Sequence, residues 1–421
     1  MKPEIKERIA QIRRGAVPSG YRKAAVGIIP SDWTQASVGE VCEINPSRSK
    51  TPDSVVTFLG MADVSEDGRI LNAKTTDYAK VSKGFTPFLR GDILVAKITP
   101  CFENGKGADT SELPTAQGFG STEFHVLRSK ICSKFVFYHT SSYEFRKKLE
   151  TEMSGSAGQK RVQTDSIASY LLPLPPLEEQ RRIAEILTTQ DKIIALKERR
   201  LAEKRRQKTF LAQRLLTGKT RLPGFDGEWK TERLGALFAE RVETKREDLE
   251  LLAITASQGV IPRSRLDLKD NSSEDKSKYL RVCVGDIGYN TMRMWQGVSA
   301  YSNYEGIVSP AYTVLKPSAD VCAKYFAYLF KTPKIVFLFY RHSQGLVDDT
   351  RNLKYANFKK ISVVYPPHLE EQQAIAEVLT CADREIEALQ RDLELEKRKK
   401  KALMQLLLTG VVRVNSRRRS A

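Results

Sequence analysis

A segment of 42 residues occurs twice in the chain, and this repeat constrains the fold more than any other feature. Residues 177–218 and 369–410 align without a gap at an offset of 192 positions, and 21 of the 42 aligned residues are identical. Identity over this length indicates an internal duplication. Each copy follows a pair of prolines and ends at Thr-Gly, which are start and stop signals of one long helix. The sequence therefore predicts a duplicated chain with two matched long helices.

Both copies carry the same residue type at every seventh position of one stripe. The first stripe contains Leu187, Ile194, Leu201, Lys208 and Leu215, and the second contains Leu379, Ile386, Leu393, Lys400 and Leu407. A seam of this period predicts a coiled coil. Three residues further on, the companion stripe of the first helix is polar, with Gln190, Lys197 and Lys204. The alternative is that each helix packs on its own domain, although a globular helix face is wider than this seam.

The two repeated segments carry net charges of opposite sign. The first has 11 Lys and Arg against 6 Asp and Glu, a net charge of +5, and the second has 7 against 9, a net charge of −2. This opposition favours pairing of the helices with each other. A helix of this length spans roughly 60 Å at ~1.5 Å per residue. We therefore expect the pair to act as a spacer of fixed length.

Most of the positive charge lies outside the helices. The chain of 421 residues has a formal net charge of +18, and the helical segments together hold +3, the sum of +5 and −2, which leaves +15 elsewhere. A surplus of this size indicates a polyanionic partner, and nucleic acid is the first candidate. The alternative is a basic protein without such a partner.

The composition also excludes several classes of protein. No apolar run approaches the ~18 residues of a membrane span, and residues 1–30 lack the apolar core of a secretory signal. The six cysteines show no CxxC spacing, so we expect free thiols and a cytoplasmic location, without a zinc ribbon. The four histidines are scattered and form no metal-binding pattern.

The regions outside the helices repeat one plan with different contents. We divide the chain into an N-terminal helical segment (1–30), a first variable region (31–174), a central helix (175–218), a second variable region (219–365), a distal helix (366–412) and a basic tail (413–421). Gly-Asp-Ile at residues 91–93 recurs at residues 285–287. Short runs predict strands at 55–59, 92–98 and 123–127, and one helix at 133–150. A shared framework with different contents suggests the same task on two targets.

Fragments that resemble catalytic motifs fail in detail. Residues 218–220, Gly-Lys-Thr, resemble the end of a phosphate-binding loop, but they close a helix and Gln213 replaces the first glycine. Residues 365–368, Tyr-Pro-Pro-His, resemble the amino-methyltransferase box, but Tyr365 cannot accept from an amino group as Asp or Asn would. The residues themselves give no positive sign of an active site.

Polar loops in the variable regions are the remaining candidates for a site. They cover residues 97–106 and 155–161 in the first region, and residues 289–297 and 343–351 in the second. Arg and Lys can donate to guanine, Asn and Gln can pair with adenine, and backbone amides can hold phosphates. The alternative is ordinary turn chemistry with solvated charges.

The repeated motif is similar to one found in a known family. Pro-Pro-Leu-Glu-Glu-Gln leads through Ile-Ala-Glu to Leu-Leu-Thr-Gly twice, each time after a variable region. This arrangement resembles the specificity subunit of type I restriction–modification enzymes, as do residues 91–100, 158–162 and 285–297. The resemblance covers nearly the whole chain. It implies an α+β fold, with two α/β target recognition domains separated by two long helices that pair as an antiparallel coiled coil, in a pseudo-two-fold internal repeat.

The resemblance also implies a function. Each recognition domain would read one half of a split site in double-stranded DNA, while the helices would fix the gap and dock two modification subunits. The chain itself would be non-catalytic and without a cofactor. S-adenosylmethionine would serve the modification subunits, and ATP and magnesium the restriction subunits, where these are present.

DNA contacts carried over from the family fall on nine residues. They are Lys97, Asn104, Lys106, Lys160 and Arg161 in the first domain, and Arg293, Trp295, Gln296 and Arg351 in the second. A structural role is an equal alternative for Trp295. Alternatives for the whole chain are a coiled-coil adaptor with general nucleic-acid binding, a self-sufficient methyltransferase or nuclease, and a recognition module of a methyltransferase that lacks a restriction subunit.

Overall fold

The computed structural model describes residues 3–47, 53–156, 158–255, 258–266 and 273–414. The predicted basic tail lies outside the described residues, except for Arg413 and Val414. The chain divides into two compact units, one formed by residues 1–197 with 392–421 and the other by residues 198–391. Each unit therefore contains one variable region and a part of each long helix.

The helices and strands follow the same order in both halves. The described residues up to 218 form the helices α1 (Pro3–Arg13), α2 (Val38–Val41), α3 (Tyr78–Val81), α4 (Ser133–Thr140), α5 (Tyr143–Thr151), α6 (Thr164–Ser169) and α7 (Leu177–Leu215). Their strands are β1 (Tyr21–Ala24), β2 (Gly27–Pro30), β3 (Thr34–Ser37), β4 (Cys42–Ile44), β5 (Val55–Leu59), β6 (Lys74–Asp77), β7 (Thr86–Leu89), β8 (Ile93–Ala96), β9 (Gly107–Asp109), β10 (Gln117–Gly120), β11 (Phe124–Ser129) and β12 (Leu171–Leu174).

The described residues beyond 218 repeat this plan with fewer elements. Their helices are α8 (Leu234–Leu237), α9 (Ala323–Leu329), α10 (Pro333–His342), α11 (Tyr355–Phe358) and α12 (Leu369–Leu407). Their strands are β13 (Lys230–Arg233), β14 (Phe238–Glu240), β15 (Leu252–Thr255), β16 (Gly259–Pro262), β17 (Leu280–Val282), β18 (Ile287–Asn290), β19 (Ser299–Tyr301), β20 (Gly306–Val308), β21 (Tyr312–Pro317) and β22 (Ser362–Tyr365). No helix in the described ranges is long and apolar enough to cross a membrane.

One antiparallel sheet is common to both variable regions. Its strand order is β4–β11–β8–β9 in the first unit and β14–β21–β18–β19 in the second. Strand β8 is buried along its whole length because its side chains point alternately to the two faces of the sheet and a core covers each face. Ile93 and Val95 join the core that contains Phe135 of α4, whereas Leu94 packs with Leu59 of β5 on the other side. The shared sheet is thus the middle layer of the first domain.

The second layer differs between the two domains. In the first unit, β6–β5–β10–β7 form one sheet, in which β5 and β10 run parallel. In the second unit, the described strands on this side form two separate pairs, β15–β16 and β17–β20. Each variable region closes on itself, since β3 pairs with β12 and β13 pairs with β22. The repeat therefore preserves the framework and changes one layer.

The two long helices pair antiparallel within each unit. In the first unit, Asp191 of α7 binds Lys400 of α12 at 2.6 Å, and Lys197 binds the earlier residue Asp392 at 2.6 Å. In the second unit the ion pairs are Lys204–Glu385 at 3.1 Å and Lys208–Asp383 at 2.5 Å. Three of these four pairs join a lysine of α7 to a carboxylate of α12. This agrees with the net positive charge of the first repeat and the net negative charge of the second.

The predicted seam is buried. At most 8% of the surface is exposed for Leu187, Ile194, Leu201, Leu215, Leu379, Ile386, Leu393 and Leu407. Leu187 and Leu407 also belong to the core of the first domain, and Leu215 and Leu379 to that of the second. The ends of each helix therefore pack on a domain as well as on the partner helix.

Polar groups of the companion stripe are hydrogen-bonded. Gln190 is 3% exposed, and its Nε2 donates to Glu396 Oε2 at 2.7 Å. Lys197 Nζ donates to Glu396 Oε1 at 3.2 Å. Because buried polar groups destabilise a fold unless they find partners, this layer favours one register of the two helices in the first unit.

The prediction of one helix over residues 133–150 was wrong. Helix α4 ends at Thr140 and α5 begins at Tyr143. The hydroxyl of Ser142 accepts the amide of Phe145 at 3.3 Å and so caps α5. Serine at this position competes with the helix backbone for hydrogen bonds, which favours a new helix start over a continuous helix.

Candidate nucleic-acid interface

The two polar loops predicted in the first domain lie side by side. Residues 97–106 follow strand β8, and the described residues of the second loop, 155, 156 and 158–161, pass next to them. The amide of Thr99 donates to the carbonyl of Lys160 at 3.0 Å, and a β-bridge pairs the adjacent residues Ile98 and Arg161. The fold therefore brings these sequence-distant loops onto one surface.

A buried histidine supports the end of the second loop. His125 is 3% exposed, its Nδ1 lies 3.1 Å from Asn45 Nδ2, and its Nε2 lies 3.0 Å from the carbonyl oxygen of Val162. Since the amide nitrogen of Asn45 is a donor, Nε2 carries the proton and donates to Val162. Burial lowers the pKa of His125 to about 4, so the ring is neutral at neutral pH.

Two of the predicted cations in the first domain lie close to the same carboxylate. Arg161 donates to Glu123 at 2.9 and 3.0 Å, and this hydrogen bonding lowers the pKa of Glu123. Lys97 donates to the carbonyl of Thr122 at 2.9 Å, and burial lowers its pKa. Arg161 keeps 44% of its side chain exposed, so its outer edge is accessible to a ligand.

The remaining three predicted residues of this domain differ in how accessible their side chains are to a ligand. Asn104 is exposed and donates to Glu66 Oε1 at 3.1 Å. Lys106 is half-buried and donates to the carbonyl of Met61 at 2.9 Å. Lys160 is exposed. The accessible polar groups are therefore those of Asn104, Lys160 and Arg161, and Lys106 is mainly engaged within the fold.

The second domain brings its two predicted loops together in the same way. Residues 289–297 begin with the last two residues of β18, the equivalent of β8, and continue beyond this strand. The amide of Leu353, which follows the second loop, donates to the carbonyl of Thr291 at 2.8 Å. Gln344 and Asn352 form a β-bridge that closes the base of the second loop. Both domains thus present a pair of adjacent loops at the same end of the shared sheet.

Side chains in these loops fall into two groups. Arg293 and Gln296 are exposed. By contrast, the guanidinium carbon of Arg351 lies 4.2 Å from the ring centroid of Tyr340 and 5.9 Å from that of Trp295, and only 14% of the Arg351 side chain is exposed. Cation–π packing therefore engages Trp295 and Arg351 within the domain, which leaves Arg293 and Gln296 as the accessible pair.

The repeated Gly-Asp-Ile segment anchors the framework beneath the loops. Asp92 is 3% exposed and accepts two hydrogen bonds from Arg128, at 3.0 and 2.8 Å. Asp286 is 2% exposed and accepts two from Arg241, at 2.7 and 3.1 Å. In each domain the aspartate also accepts a backbone amide three residues earlier, which fixes the turn into β8 or β18.

A cluster of Trp33, Glu179 and Arg413 joins the first domain to both long helices. Glu179, in the first turn of α7, is 3% exposed and accepts Trp33 Nε1 at 3.0 Å. Arg413, just after α12, donates to the same carboxylate at 2.9 and 2.8 Å and to Asp32 at 2.7 Å. These bonds raise the pKa of Arg413, so the guanidinium stays charged.

The second unit repeats this Trp–Glu–Arg cluster with the equivalent residues. Arg221, which follows α7, donates to Glu371 of α12 at 2.6 and 2.7 Å. Trp229 Nε1 lies 3.4 Å from the same carboxylate. In each unit, the first turn of one long helix, the segment after the other and the tryptophan near the start of β3 or β13 therefore meet at one buried glutamate.

A second cluster, of a tyrosine, an aspartate and a lysine, joins each domain to both long helices at a point further from the helix ends. Tyr138 donates to Asp191 at 2.8 Å, while Lys400 binds the same aspartate from the other helix. In the second unit, Tyr328 donates to Asp383 at 2.7 Å, and Lys208 completes the group. These contacts explain why one lysine interrupts the apolar seam of each helix. Each lysine neutralises an aspartate that accepts a hydrogen bond from a tyrosine of the domain.

Sequence reasoning missed these anchoring residues, although a signal for some of them was present. Glu179, Asp191 and Lys208 have identical counterparts 192 positions later, at Glu371, Asp383 and Lys400. A polar residue retained in both copies of a diverged repeat indicates a shared contact. Glu66 and Glu123, the partners of Asn104 and Arg161, have no such signal and depend on tertiary structure.

The geometry defines a class of protein. Two domains share a framework and differ in their loops, and each is anchored to the same pair of helices, which is the design of a scaffold for two-part recognition. The family model for the type I restriction modification DNA specificity domain matches residues 30–204 and 228–397. The chain therefore belongs to the family of type I restriction–modification specificity subunits, with two specificity domains.

Individual relatives agree with this assignment. The chain is 23% identical over 434 aligned positions to the putative type I restriction enzyme MjaX specificity subunit of Methanocaldococcus jannaschii, with 94% of this chain and 97% of that one covered. It is 39% identical over 161 residues to the EcoAI specificity subunit of Escherichia coli, which covers 37% of this chain. That alignment, and a similar one to the EcoEI subunit, span 27% of the relative's length.

Solved structures share the fold. A chain from work on assembly and conformational transition of the type I R-M system matches with a TM-score of 0.56 at 20% identity, over 91% of this chain and 99% of that one. The type I S subunit from M. genitalium matches with a TM-score of 0.57 at 13% identity, over 89% and 96% of the two chains. The predicted α+β architecture of two domains with a paired-helix spacer is therefore confirmed.

Proposed function

We propose that the chain reads a two-part site in double-stranded DNA, one half with each recognition domain, as the non-catalytic specificity subunit of a type I restriction–modification complex. The observation that carries this proposal is the repeated pair of adjacent loops. Both pairs stand on the same framework, but their accessible side chains differ, with Asn104, Lys160 and Arg161 in one and Arg293 and Gln296 in the other. Different donors and acceptors on one framework would read different bases.

The paired helices have two proposed roles. They would set the distance between the half-sites. This role is supported by two contacts within each unit, the Trp–Glu–Arg cluster and the Tyr–Asp–Lys cluster, which anchor the domain to the helices. They would also dock two modification subunits and, where present, restriction subunits. Exposed apolar side chains on the helices are the candidate docking contacts, since Leu196 is 63% exposed, Phe210 55% and Leu395 62%. S-adenosylmethionine, ATP and magnesium would then belong to these partners, in the cytoplasm.

Exchange of the first recognition domain tests the reading of DNA. Residues 34–174, which begin and end at the paired strands β3 and β12, would be replaced by the equivalent segment of a family member with another specificity. We expect one half of the methylated site to change and the other to stay the same, because each domain reads its half independently. Methylated adenines mapped in DNA from cells that express the complex give the answer.

The reciprocal exchange of residues 230–365, bounded by β13 and β22, is the matched control and should change the other half. A change in both halves, or in neither, would reject independent reading. The purified chain alone should neither methylate nor cut DNA, and activity of that kind would support the self-sufficient enzyme instead.

Substitution of exposed leucines tests docking. Leu196→Asp with Leu395→Asp removes two exposed apolar side chains of the first unit and adds charge. Burial of a leucine contributes about 1.5–3 kcal/mol, so we expect the affinity for a modification subunit to fall at least tenfold. The chain should keep its stability, because surface substitutions change it by about 0.5 kcal/mol or less. Ala195→Asp places one negative charge next to Leu196 and is the control for charge without loss of an apolar side chain. Equal affinities of the double variant and the control would argue against docking here.

A further inference from the structure

Arg146 of α5 is a buried cation whose partners are backbone carbonyls. The residue is 7% exposed. Its Nε donates to the carbonyl of Thr140 at 2.8 Å, Nη1 to that of Phe102 at 3.2 Å, and Nη2 to that of Lys106 at 3.3 Å. In the described part of the chain, these hydrogen-bond acceptors are all main-chain oxygens. The guanidinium thus joins a helix of the core to the predicted DNA loop.

Burial of a charged side chain destabilises a fold, so this arrangement would be unfavourable if Arg146 served only to fill space. Burial lowers the pKa of Arg146 to about 9, so the side chain is still charged at neutral pH. Its guanidinium carbon lies 4.8 Å from the ring centroid of Phe102 and 6.0 Å from that of Phe145, and this cation–π packing offsets part of the desolvation. An apolar residue would fill the same volume without that cost, but it could not hold two loop carbonyls in a fixed fork.

The two loop carbonyls bracket a tight turn. Within it, the amide of Gly105 donates to Phe102 at 2.9 Å and the amide of Lys106 donates to Cys101 at 2.9 Å. Phe102 is fully buried and Asn104 points outward as an exposed residue of the turn. Arg146 contacts both ends of this turn, so its planar fork sets the orientation of the turn on the core.

We propose that Arg146 is a positioning residue for recognition of the first half-site, which holds the turn of residues 102–106 in the orientation that presents Asn104 to DNA. The inference rests on the proposed function. Arg146 itself would not contact DNA and would act through the loop. In the second domain, Lys331 donates to the carbonyl of Gly297, the last residue of its first loop, at 2.6 Å from an exposed position. The two domains therefore fix equivalent loops by different cations.

Half-site discrimination in the assembled complex is the readout for this role. Complexes with the modification subunits would carry the wild-type chain, Arg146→Met or Arg146→Lys, and methylation rates would be compared on the mapped site and on sites with one substitution in either half. We expect Arg146→Met to reduce discrimination in the half read by the first domain tenfold or more and to leave the other half unchanged. Arg146→Lys keeps the positive charge but loses the planar guanidinium that binds both loop carbonyls. This variant should fold and should show a smaller loss of discrimination in the half read by the first domain.

A matched variant separates positioning from stability. Leu149→Ala removes a fully buried side chain from the same helix and should lower thermal stability without changing discrimination. Equal loss of discrimination in both halves, or a loss with Leu149→Ala as large as with Arg146→Met, would overturn the positioning role. Absence of any site-specific methylation by the wild-type complex would instead reject the proposed function on which the inference rests.

Discussion

Replacement of Glu179 by alanine is expected to lower the free energy of unfolding of the first unit by about 3 kcal/mol or more. Removal of one partner from a buried ion pair typically costs roughly 3–5 kcal/mol. The lower end of this range is expected for Glu179 because Arg413 keeps its ion pair with Asp32. Here Arg413 would lose two hydrogen bonds and Trp33 Nε1 would lose its buried acceptor. Urea-induced unfolding of the full chain, followed by circular dichroism, measures the change.

A neighbouring glutamate provides the control for this experiment. Glu178 precedes Glu179 in the same helical turn, but 65% of its side chain is exposed and it pairs with Arg181 on the surface. Exposed ion pairs contribute about 0–1 kcal/mol, so Glu178→Ala should have little effect. Glu371→Ala should reproduce the large loss in the second unit because Arg221 and Trp229 share that carboxylate. Similar losses for Glu178→Ala and Glu179→Ala would contradict the anchoring role of the Trp–Glu–Arg cluster.

Lengthening both helices by one heptad is expected to widen the gap between the half-sites. Seven residues inserted after Lys197 in α7 and seven after Arg391 in α12 add ~10 Å to each helix and preserve the seam. Both insertions fall at the division between the units, so every ion pair and cluster described within a unit is retained. Since ~10 Å is the rise of about three base pairs, we expect the gap to grow by one to about three base pairs, as measured by mapping of methylated adenines.

The pairing of the helices explains why the two insertions must be matched. An insertion in α7 alone would move Asp191 relative to Lys400 or Lys208 relative to Asp383, because these pairs lie on opposite sides of the insertion point. One set of ion pairs would be lost, and with it the contact of Asp191 or Asp383 to its tyrosine. A single insertion is therefore the matched control, which should lower activity without producing one new, longer gap.

Features with a regular period could be predicted from the sequence. The heptad seam from Leu187 to Leu215 and the Thr-Gly exits gave both long helices to within a few residues, since local spacing determines them. Strand β5 was predicted at its observed bounds for the same reason. The break at Ser142 was missed because apolar periodicity continues across it, while a single capping hydroxyl decides between one helix and two.

Contacts between distant residues could not be read from spacing. Trp33, Glu179 and Arg413 are far apart in sequence and meet only in the folded chain, where the start of α7, the segment after α12 and the first domain come together. A buried arginine such as Arg146 is indistinguishable from a solvated one until its environment is known, because charge patterning assigns every cation to the surface. The four loops could be predicted as candidates, but tertiary structure decided that Arg351 packs on Tyr340 while Arg293 is accessible.

We propose that the recognition domains select the half-sites while the helix pair sets their separation, and mapping of methylated adenines for the matched-insertion chain tests both roles in one experiment. DNA from cells that express the complex would be compared for the wild-type chain and for the chain with seven residues added after Lys197 and after Arg391. We expect that both half-site sequences stay the same and that the gap between them lengthens. Unchanged spacing with both half-sites intact, or altered half-site sequences at the original spacing, would contradict it.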